Sequence, residues 1–402
     1  MANPGRLVLV MCLAQSLGML GFATFPALLP ELVTVWQLSN TEAGIVNGAY
    51  FGGYMAAVAF LVLLTDRYEA LWIFLTAAML SGLSTLAFAL FADGFWTSVI
   101  FHTLMGVGLA GVYMPGLRIL TDRLEGPAQP RHIAFYTATF GVGSSLSFLF
   151  AGIASDLLGW RWAFGLAACG AWIAGFLVAA TARPLKERRP PIGRLLDVRP
   201  VLRDRPTMMY ILGYAAHVWE LFALRGWIVA YLTWVAARDS EAPAWLAPTL
   251  VATIIGLIGV PSSIVGNEIA MRVGRRRTII WIMSLSTLVA LTLGSLAGAP
   301  YWLVCCVGLI YGVPIVADSA SLTAGAVAAA PAGRRGAALA LHSMIGFGCG
   351  FLGSTAVGIA LDVAGGKSEF GWFVGFATIA VGAAIGPLIL WRMGSPSERK
   401  AA

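Results

Sequence analysis

The sequence predicts an all-α membrane protein that crosses the bilayer twelve times. Of its 402 residues, 59% are hydrophobic and only 11% are charged, whereas soluble globular proteins carry roughly 25% charged residues. Apolar runs of about 20 residues, each able to cross ~30 Å of hydrocarbon as a helix, recur along the chain. Basic residues concentrate in alternate connections between these runs, a pattern typical of inserted multi-span proteins.

The apolar segments form two groups of six. The first group lies near 7–30, 42–64, 69–91, 95–120, 132–156 and 160–182. The second group lies near 207–235, 246–270, 277–297, 300–323, 335–363 and 369–392. Between the groups, the chain is basic and rich in proline, which indicates a surface connector. We therefore predict an N-terminal six-helix bundle over 1–182, a linker over 183–206 and a C-terminal six-helix bundle over 207–402.

Positive charge predicts the orientation of the chain in the membrane. With both termini in the cytoplasm, 21 of the 26 Lys and Arg residues fall in cytoplasmic loops and tails, and three in outer loops. Positive charge in short loops stays on the cytoplasmic side, so we predict this topology and a cytoplasmic linker. Topology also explains the net charge of +7 without nucleic-acid binding. Only three basic residues are lysine, a bias that fits a GC-rich genome and hints at a bacterium. We therefore expect the protein in a bacterial cytoplasmic membrane.

The two halves of the chain resemble each other. Gly-Ile-Ala-Ser-Asp at 152–156 closes the fifth segment, and Gly-Ile-Ala-Leu-Asp at 358–362 closes the eleventh. Paired six-helix repeats with a substrate site at their interface are one of the standard arrangements of secondary transporters. The sequence contains no nucleotide-binding loop, zinc-ligand spacing or nucleophile elbow. We therefore expect no enzyme activity and no metal or other cofactor.

Several motifs, taken in order, resemble the major facilitator superfamily over essentially the whole chain. The stretch 38–54 is similar to the first outer loop and second helix of that family, and Gly-Trp-Arg-Trp-Ala-Phe at 159–164 is similar to the start of its sixth helix. Asp66-Arg67 stands where the family has an inner-loop signature of Gly, then Asp-Arg, then Gly-Arg-Arg. The leading Gly and the Gly-Arg pair are missing here. A second copy at 272–277 keeps only the basic half.

The resemblance implies two pseudo-symmetric six-helix bundles around a central cavity, lined by helices 1, 4, 7 and 10, that opens to each side of the membrane in turn. It also implies that the inner-loop signatures act as a latch. By position, Asp66, Arg67 and Arg272 inherit this gating role; the alternative is that they only end a helix at the interface. Arg118 and Asp122, four residues apart, are expected to pair and support the inner gate, with substrate contact by Arg118 as the alternative.

The seventh segment carries three ionisable residues inside an apolar run: His217, Glu220 and Arg225. A charge at bilayer depth costs at least ~2.5–3.5 kcal/mol on insertion scales, so such residues face a bundle interior or a cavity. At ~100° per residue the three side chains share one wide stripe. We interpret His217 and Glu220 as a proton relay and Arg225 as a fixed cation for an anionic group. The alternative is an internal ion pair that orders the bundle.

Further candidate residues lie on other predicted helices. His102 on helix 4 replaces an arginine of the family pattern and offers a titratable group there; the alternative is a histidine bonded to backbone. Asp318 on helix 10 is a candidate partner for Arg118 or Arg225 across the cavity. Gln15, Tyr113 and Trp219 are candidates for shaping a solute pocket. His342 on helix 11 has no partner that the sequence identifies, and we interpret it as a packing residue.

These features predict a proton-coupled secondary transporter of a small polar or anionic organic solute, acting by alternating access as a monomer in the lipid bilayer. Its partners are the solute and protons. Efflux of hydrophobic drugs is an alternative, although the family's drug-antiporter signature in helix 5 ends in Gly-Pro and no proline occurs between Arg131 and Arg183. A membrane receptor is a further alternative, but the longest polar stretch is only the linker.

Overall fold

The computed structural model describes residues 4–185 and 198–394, and within these ranges the chain forms helices and no strands. The helices, in chain order, are α1 (Pro4–Gly18), α2 (Thr24–Ala27), α3 (Leu29–Trp36), α4 (Asn40–Arg67), α5 (Ala70–Phe91), α6 (Phe95–Arg123), α7 (Gln129–Leu158), α8 (Trp160–Thr181), α9 (Arg199–Arg203), α10 (Arg205–Ala236), α11 (Pro248–Val273), α12 (Arg275–Ser295), α13 (Tyr301–Tyr311), α14 (Pro314–Ala317), α15 (Ser319–Ala329), α16 (Arg335–Val363) and α17 (Glu369–Met393).

Helices cover each of the twelve predicted apolar segments, which confirms the predicted all-α membrane class. In the described part of the chain, eleven helical stretches are long and apolar enough to cross a membrane, with the three pieces α13–α15 counted as one stretch. The first predicted segment instead begins with the shorter apolar helix α1. Side-chain and backbone caps mark several ends: Asp204 caps α10 through the N–H of Thr207 at 2.9 Å, as expected for an N-cap aspartate.

Two segments predicted as single helices are interrupted. The segment 7–30 is divided among α1, α2 and α3, and prolines lie in both short pieces. The segment 300–323 breaks at Gly312-Val313 before Pro314 and again at Asp318. Proline lacks a backbone N–H and clashes with the preceding turn, so it interrupts the helical hydrogen-bond ladder. As a result, Asp318 sits at a helix junction and not in the middle of a continuous helix.

The first compact unit comprises Met1–Leu28 and Ala49–Gly193. In it α5 packs against α6 and α8, and α1 packs against α7 and α8. Its buried core includes Leu7, Met11, Phe74, Val112, Ile119, Leu120 and Val178. Small residues allow the close helix contacts: a Cβ added at Gly106 of α6 would lie 1.9 Å from the carbonyl oxygen of Tyr50 in α4.

The second compact unit comprises Leu29–Gly48 and Arg194–Ala402. Its central helix is α10, which packs against α15, α16 and α17. In α10, 72% of the most apolar stretch is buried, against 33–50% in each of the other spans. This unit takes in residues 29–48, which the predicted bundle over 1–182 places in the other half. The division into 1–182, 183–206 and 207–402 therefore stays a prediction.

Within this second unit, Asp362 near the end of α16 caps the start of α4. Its Oδ1 accepts hydrogen bonds from the backbone N–H and the side-chain amide of Asn40, at 3.2 and 2.8 Å. Its Oδ2 accepts from the N–H and the hydroxyl of Thr41, at 2.7 and 2.6 Å. A Cβ added at Gly358 would lie only 2.2 Å from the carbonyl oxygen of Asn40. The motif at 358–362 thus combines close packing with a helix cap.

Candidate functional site

Three of the predicted site residues meet in the core of the second unit. His217 and Glu220 lie one turn apart on α10, and Asp318 lies at the junction of α14 and α15. Their exposed fractions are 1%, 2% and 2%. Side chains of this type are rarely buried unless they are paired or hydrogen-bonded. Each therefore needs a partner inside the unit.

Glu220 receives its hydrogen bonds from two hydroxyl groups. The Ser286 hydroxyl on α12 donates to Oε1 at 2.6 Å, and the Tyr311 hydroxyl at the end of α13 donates to the same oxygen at 2.6 Å. Both donors are buried. Within residues 4–185 and 198–394, no hydrogen bond or ion pair from a cationic side chain reaches this carboxyl group.

His217 contacts the second carboxyl group. Its Nδ1 lies 2.9 Å from Oδ1 of Asp318. A protonated imidazole beside a carboxylate forms a pair with no net charge, which lowers the cost of burying both groups. We call His217, Glu220, Ser286, Tyr311 and Asp318 the Glu220 cluster. It joins α10, α12 and the broken helix α13–α15.

The Glu220 cluster has the chemistry of a site that binds and releases one proton. Burial disfavours the charged carboxylate, whereas the two hydroxyl donors favour it. These two effects act in opposite directions on the charge of Glu220. His217 and Asp318 form a second pair of ionisable side chains in the same buried core. His217 and Glu220 lie one turn apart on α10, and their role as a proton relay stays a prediction.

The imidazole of His342, which the sequence indicates only as a packing residue, extends this polar region. His342 on α16 is buried, and its Nε2 lies 3.2 Å from the Thr323 hydroxyl of α15. Its ring stacks on Tyr214 of α10 with centroids 3.7 Å apart and an interplanar angle of 17°. The Tyr214 ring also lies 5.7 Å from that of His217. His342 therefore has defined polar and aromatic partners.

Arg225 and Trp219 lie on other parts of α10. Arg225 is partly buried, and in the described structure neither Glu220 nor Asp318 hydrogen-bonds or ion-pairs with it. The indole N–H of Trp219 donates to the carbonyl oxygen of Thr378 in α17 at 3.0 Å. The Trp219 ring thus packs toward α17, away from the Glu220 cluster.

The first unit holds three further candidates. His102 of α6 is buried among the rings of Phe25, Tyr50 and Phe88, with centroids 5.3, 5.1 and 6.1 Å away. These three rings give His102 an aromatic surrounding.

Gln15 and Tyr113 lie together in the same unit. The Tyr136 hydroxyl of α7 donates to Oε1 of Gln15 at 2.9 Å and to the carbonyl oxygen of Tyr113 at 3.1 Å. The rings of Tyr113 and Tyr136 are nearly parallel, at 12°, with centroids 6.1 Å apart. Tyr136 thus connects two residues that were predicted to shape one pocket.

The predicted gating residues occupy helix ends. The side chain of Asp66 lies outside the described part of the structure, and Arg67 is exposed at the end of α4. Arg118 and Asp122 form the expected i, i+4 pair, with Nε at 3.1 and 3.0 Å from the two carboxylate oxygens. Arg272 pairs with Glu268 on its own helix at 2.7 Å. Their gating role stays a prediction.

Two groups of residues in the described structure were not predicted from the sequence. Glu69 caps α5 through the N–H of Leu71 at 2.9 Å and pairs with Arg123 of α6; its signal was an acidic residue directly before an apolar run. Ser286 gave no signal, because the segment around it contains several hydroxyl residues and nothing in the sequence distinguishes one of them.

Comparison with known proteins places the chain in a family. The model of the Major Facilitator Superfamily matches residues 11–354. The chain is 22% identical over 293 residues to human protein spinster homolog 1, a match that covers 68% of this chain and 56% of that protein. The chain thus spans little more than half the length of this relative.

Solved structures show the same fold. A bacterial homolog of the human lysosomal transporter Spinster, in an inward-facing and occupied conformation, superposes with a TM-score of 0.80 at 16% identity, covering 98% of this chain and 100% of that chain. The nucleoside transporter NupG superposes with a TM-score of 0.77 at 12% identity, covering 96% and 98% of the two chains.

Proposed function

We propose that this chain, which belongs to the major facilitator superfamily, is a secondary transporter that couples the movement of a small polar or anionic organic solute to protons. The observation that carries the proposal is the buried carboxyl group of Glu220, which is held by the hydroxyls of Ser286 and Tyr311 and by no cation in the described residues. A group in this environment changes charge by binding a proton, and that change is what couples proton movement to a conformational cycle.

Proton coupling is supported by the position of Glu220 in the second unit. Ionisable residues inside membrane spans are expensive, and they mark proton relays and solute pathways. Glu220 connects α10 to α12 and α13, and Asp318 connects α10 to the junction of α14 and α15. Discontinuous membrane helices are a recurrent feature of transporter binding sites. A proton that binds here therefore acts on three spans at once.

The solute class is supported by the side chains near the middle of α10. Arg225 carries a permanent positive charge, and its guanidinium group suits a carboxylate, sulfonate or phosphate. Gln15 and Tyr113 stay candidates for solute contact within the first unit. NupG, which has the same fold, is described as a nucleoside transporter, and a nucleoside is a polar solute. His102 and Trp219 stay candidates, each as a packing residue of its own unit.

The proposed gate lies at the ends of the membrane helices. We assign Asp66, Arg67 and Arg272 to the latch of the alternating-access cycle, and the Arg118–Asp122 pair to the same end of the spans. The protein acts as a monomer in the cytoplasmic membrane of a bacterium, with both termini in the cytoplasm, as the distribution of basic residues supports.

Two steps test the function. Thermal-shift measurements on purified protein, at two pH values, screen organic anions and neutral polar solutes for stabilisation, because a ligand that binds only the native state raises its stability. Each hit is then offered to proteoliposomes with and without an imposed pH gradient. We expect accumulation only with the gradient and its loss with a protonophore. Equal accumulation with and without a gradient contradicts proton coupling.

A further inference from the structure

We propose that Tyr311 and Ser286 are positioning residues that hold Oε1 of Glu220 and leave Oε2 as the single atom that takes up and releases the proton. This inference rests on the proposed proton-coupled function and assigns a different role to each of the two oxygens of the Glu220 carboxyl group. It also predicts that the two hydroxyls set the pH range in which the transporter works.

The geometry separates the two oxygens of Glu220. Both hydroxyls donate to Oε1, each at 2.6 Å, and they come from different helices, α12 and α13. Tyr311 and Ser286 are 0% and 1% exposed, so both hydroxyls are shielded from bulk solvent. Among the described residues, no hydrogen bond or ion pair reaches Oε2. Hydrogen bonds therefore fix the carboxyl group through Oε1, and Oε2 has no hydrogen-bond donor among the described residues.

The proton balance follows from this arrangement. An incoming proton forms an O–H bond at Oε2, and Oε1 becomes the carbonyl oxygen of a neutral carboxyl group. As a carbonyl oxygen, Oε1 still accepts from Tyr311 and Ser286, so neither donor has to move. The hydrogen bonds weaken, because donors bind a charged acceptor about twice as strongly as a neutral one. Release of the proton from Oε2 restores the carboxylate and the stronger bonds.

The two hydroxyls bind the carboxylate of Glu220 more strongly than the neutral acid. They therefore influence the pH at which Glu220 binds its proton. Removal of either hydroxyl destabilises the carboxylate more than the neutral acid, so Glu220 keeps its proton up to a higher pH. The other titratable or charged groups around Glu220 are His217 and Arg225 on α10, Asp318 at the α14–α15 junction, and His342 of α16, two rings away through Tyr214. The substitutions below change none of them.

The test is an infrared titration of the purified full-length protein in lipid nanodiscs. The carbonyl band of protonated Glu220 is identified as the band that disappears in Glu220→Gln. The titration midpoint is the pH at which this band has half its full intensity. In Tyr311→Phe and in Ser286→Ala we expect this midpoint to rise by about one pH unit, which corresponds to ~1.4 kcal/mol per hydrogen bond. Ser286→Thr keeps a hydroxyl and is expected to keep the midpoint within a few tenths of a unit.

Matched controls remove hydroxyls of the same type elsewhere in the second unit. Tyr231 donates to the carbonyl oxygen of Leu293 at 2.6 Å, and Ser354 donates to that of Phe222 at 3.1 Å; both are buried. Tyr231→Phe and Ser354→Ala are expected to leave the midpoint unchanged. If the wild-type protein shows no Glu220-dependent band at any pH, the proposed proton coupling fails together with this inference. If the band is present and neither Tyr311→Phe nor Ser286→Ala shifts it, the inference alone is overturned.

Discussion

Arg225 is the one residue of the α10 stripe whose charge does not change with pH, because a guanidinium group stays protonated in proteins. A solute anion bound by it loses a charge-assisted hydrogen bond when the side chain is truncated, an effect of about 1.5–3 kcal/mol. We predict that Arg225→Ala weakens the binding of an anionic solute by roughly 10–100-fold, measured by titration calorimetry on purified protein.

The matched control for this prediction is Arg238→Ala, which removes an exposed arginine outside the spans and is expected to leave affinity unchanged. Neutral solutes are expected to bind Arg225→Ala as tightly as the wild-type protein. Full affinity for anions in Arg225→Ala would reassign this arginine to a structural role.

The His217–Asp318 contact makes a second prediction at the scale of single residues. Removing one partner of a buried pair leaves the other charge without compensation, at a cost of about 3–5 kcal/mol. We predict that His217→Ala and Asp318→Asn each lower the melting temperature in detergent. The double variant is expected to lose less than the sum of the two, since the two sites share one interaction. Strict additivity would show that the 2.9 Å contact contributes no coupling.

At the scale of elements, Asp362 connects α16 to the N-terminus of α4. Four hydrogen bonds reach its two oxygens from Asn40 and Thr41, and a carboxylate is also favoured by the helix dipole at this end. We predict that Asp362→Asn destabilises the protein by about 0.5–2 kcal/mol, the range for loss of a helix cap. Thermal unfolding measures this effect, and an unchanged midpoint would contradict the cap. Asp93→Asn, at a loop carboxylate that accepts one hydrogen bond, from the Thr97 hydroxyl at 2.9 Å, is the control and is expected to change little.

A similar cap outside the membrane spans gives a pH-dependent prediction. The backbone N–H groups of Tyr301, at 2.7 Å, and Glu241, at 2.9 Å, donate to Asp239 and lower the pKa of its carboxyl group. A lowered folded-state pKa adds stability above the unfolded value of about 3.9, and this stability is lost as the pH falls through the folded value. We predict that Asp239→Asn lowers the melting temperature at neutral pH and that the difference from wild type shrinks below about pH 4. A constant difference over this range would contradict the assignment.

The elements also show what the sequence could and could not predict. Apolar length located the helical segments, because a membrane span must satisfy its backbone hydrogen bonds internally, and eleven of them hold a stretch long enough to cross a membrane in the described residues. The same measure missed the breaks in the first and tenth segments, since Pro26, Pro30 and Pro314 lie inside runs that remain apolar. Hydropathy records how well a residue is tolerated in lipid, but not whether the helix stays continuous there.

At the scale of the whole molecule, the position of α10 was predictable and the partners of its polar residues were not. Three ionisable residues in one apolar run indicated a buried face, and α10 is the most buried span of its unit. The donors to Glu220 come from positions 66 and 91 residues away in the chain. Such contacts depend on how the helices pack, which periodicity within one segment does not specify. Ser286, for example, was not singled out from the sequence.

The central claim is that Glu220 couples transport to protons, and one comparison in proteoliposomes tests it most directly. Glu220→Gln keeps the shape of the side chain but fixes it in a neutral state. With an identified solute, we predict that this variant still exchanges labelled for unlabelled solute across the membrane and no longer accumulates it under an imposed pH gradient. Glu241→Gln, at an exposed loop residue, is expected to behave as wild type. Gradient-driven accumulation by Glu220→Gln at the wild-type rate would contradict the claim.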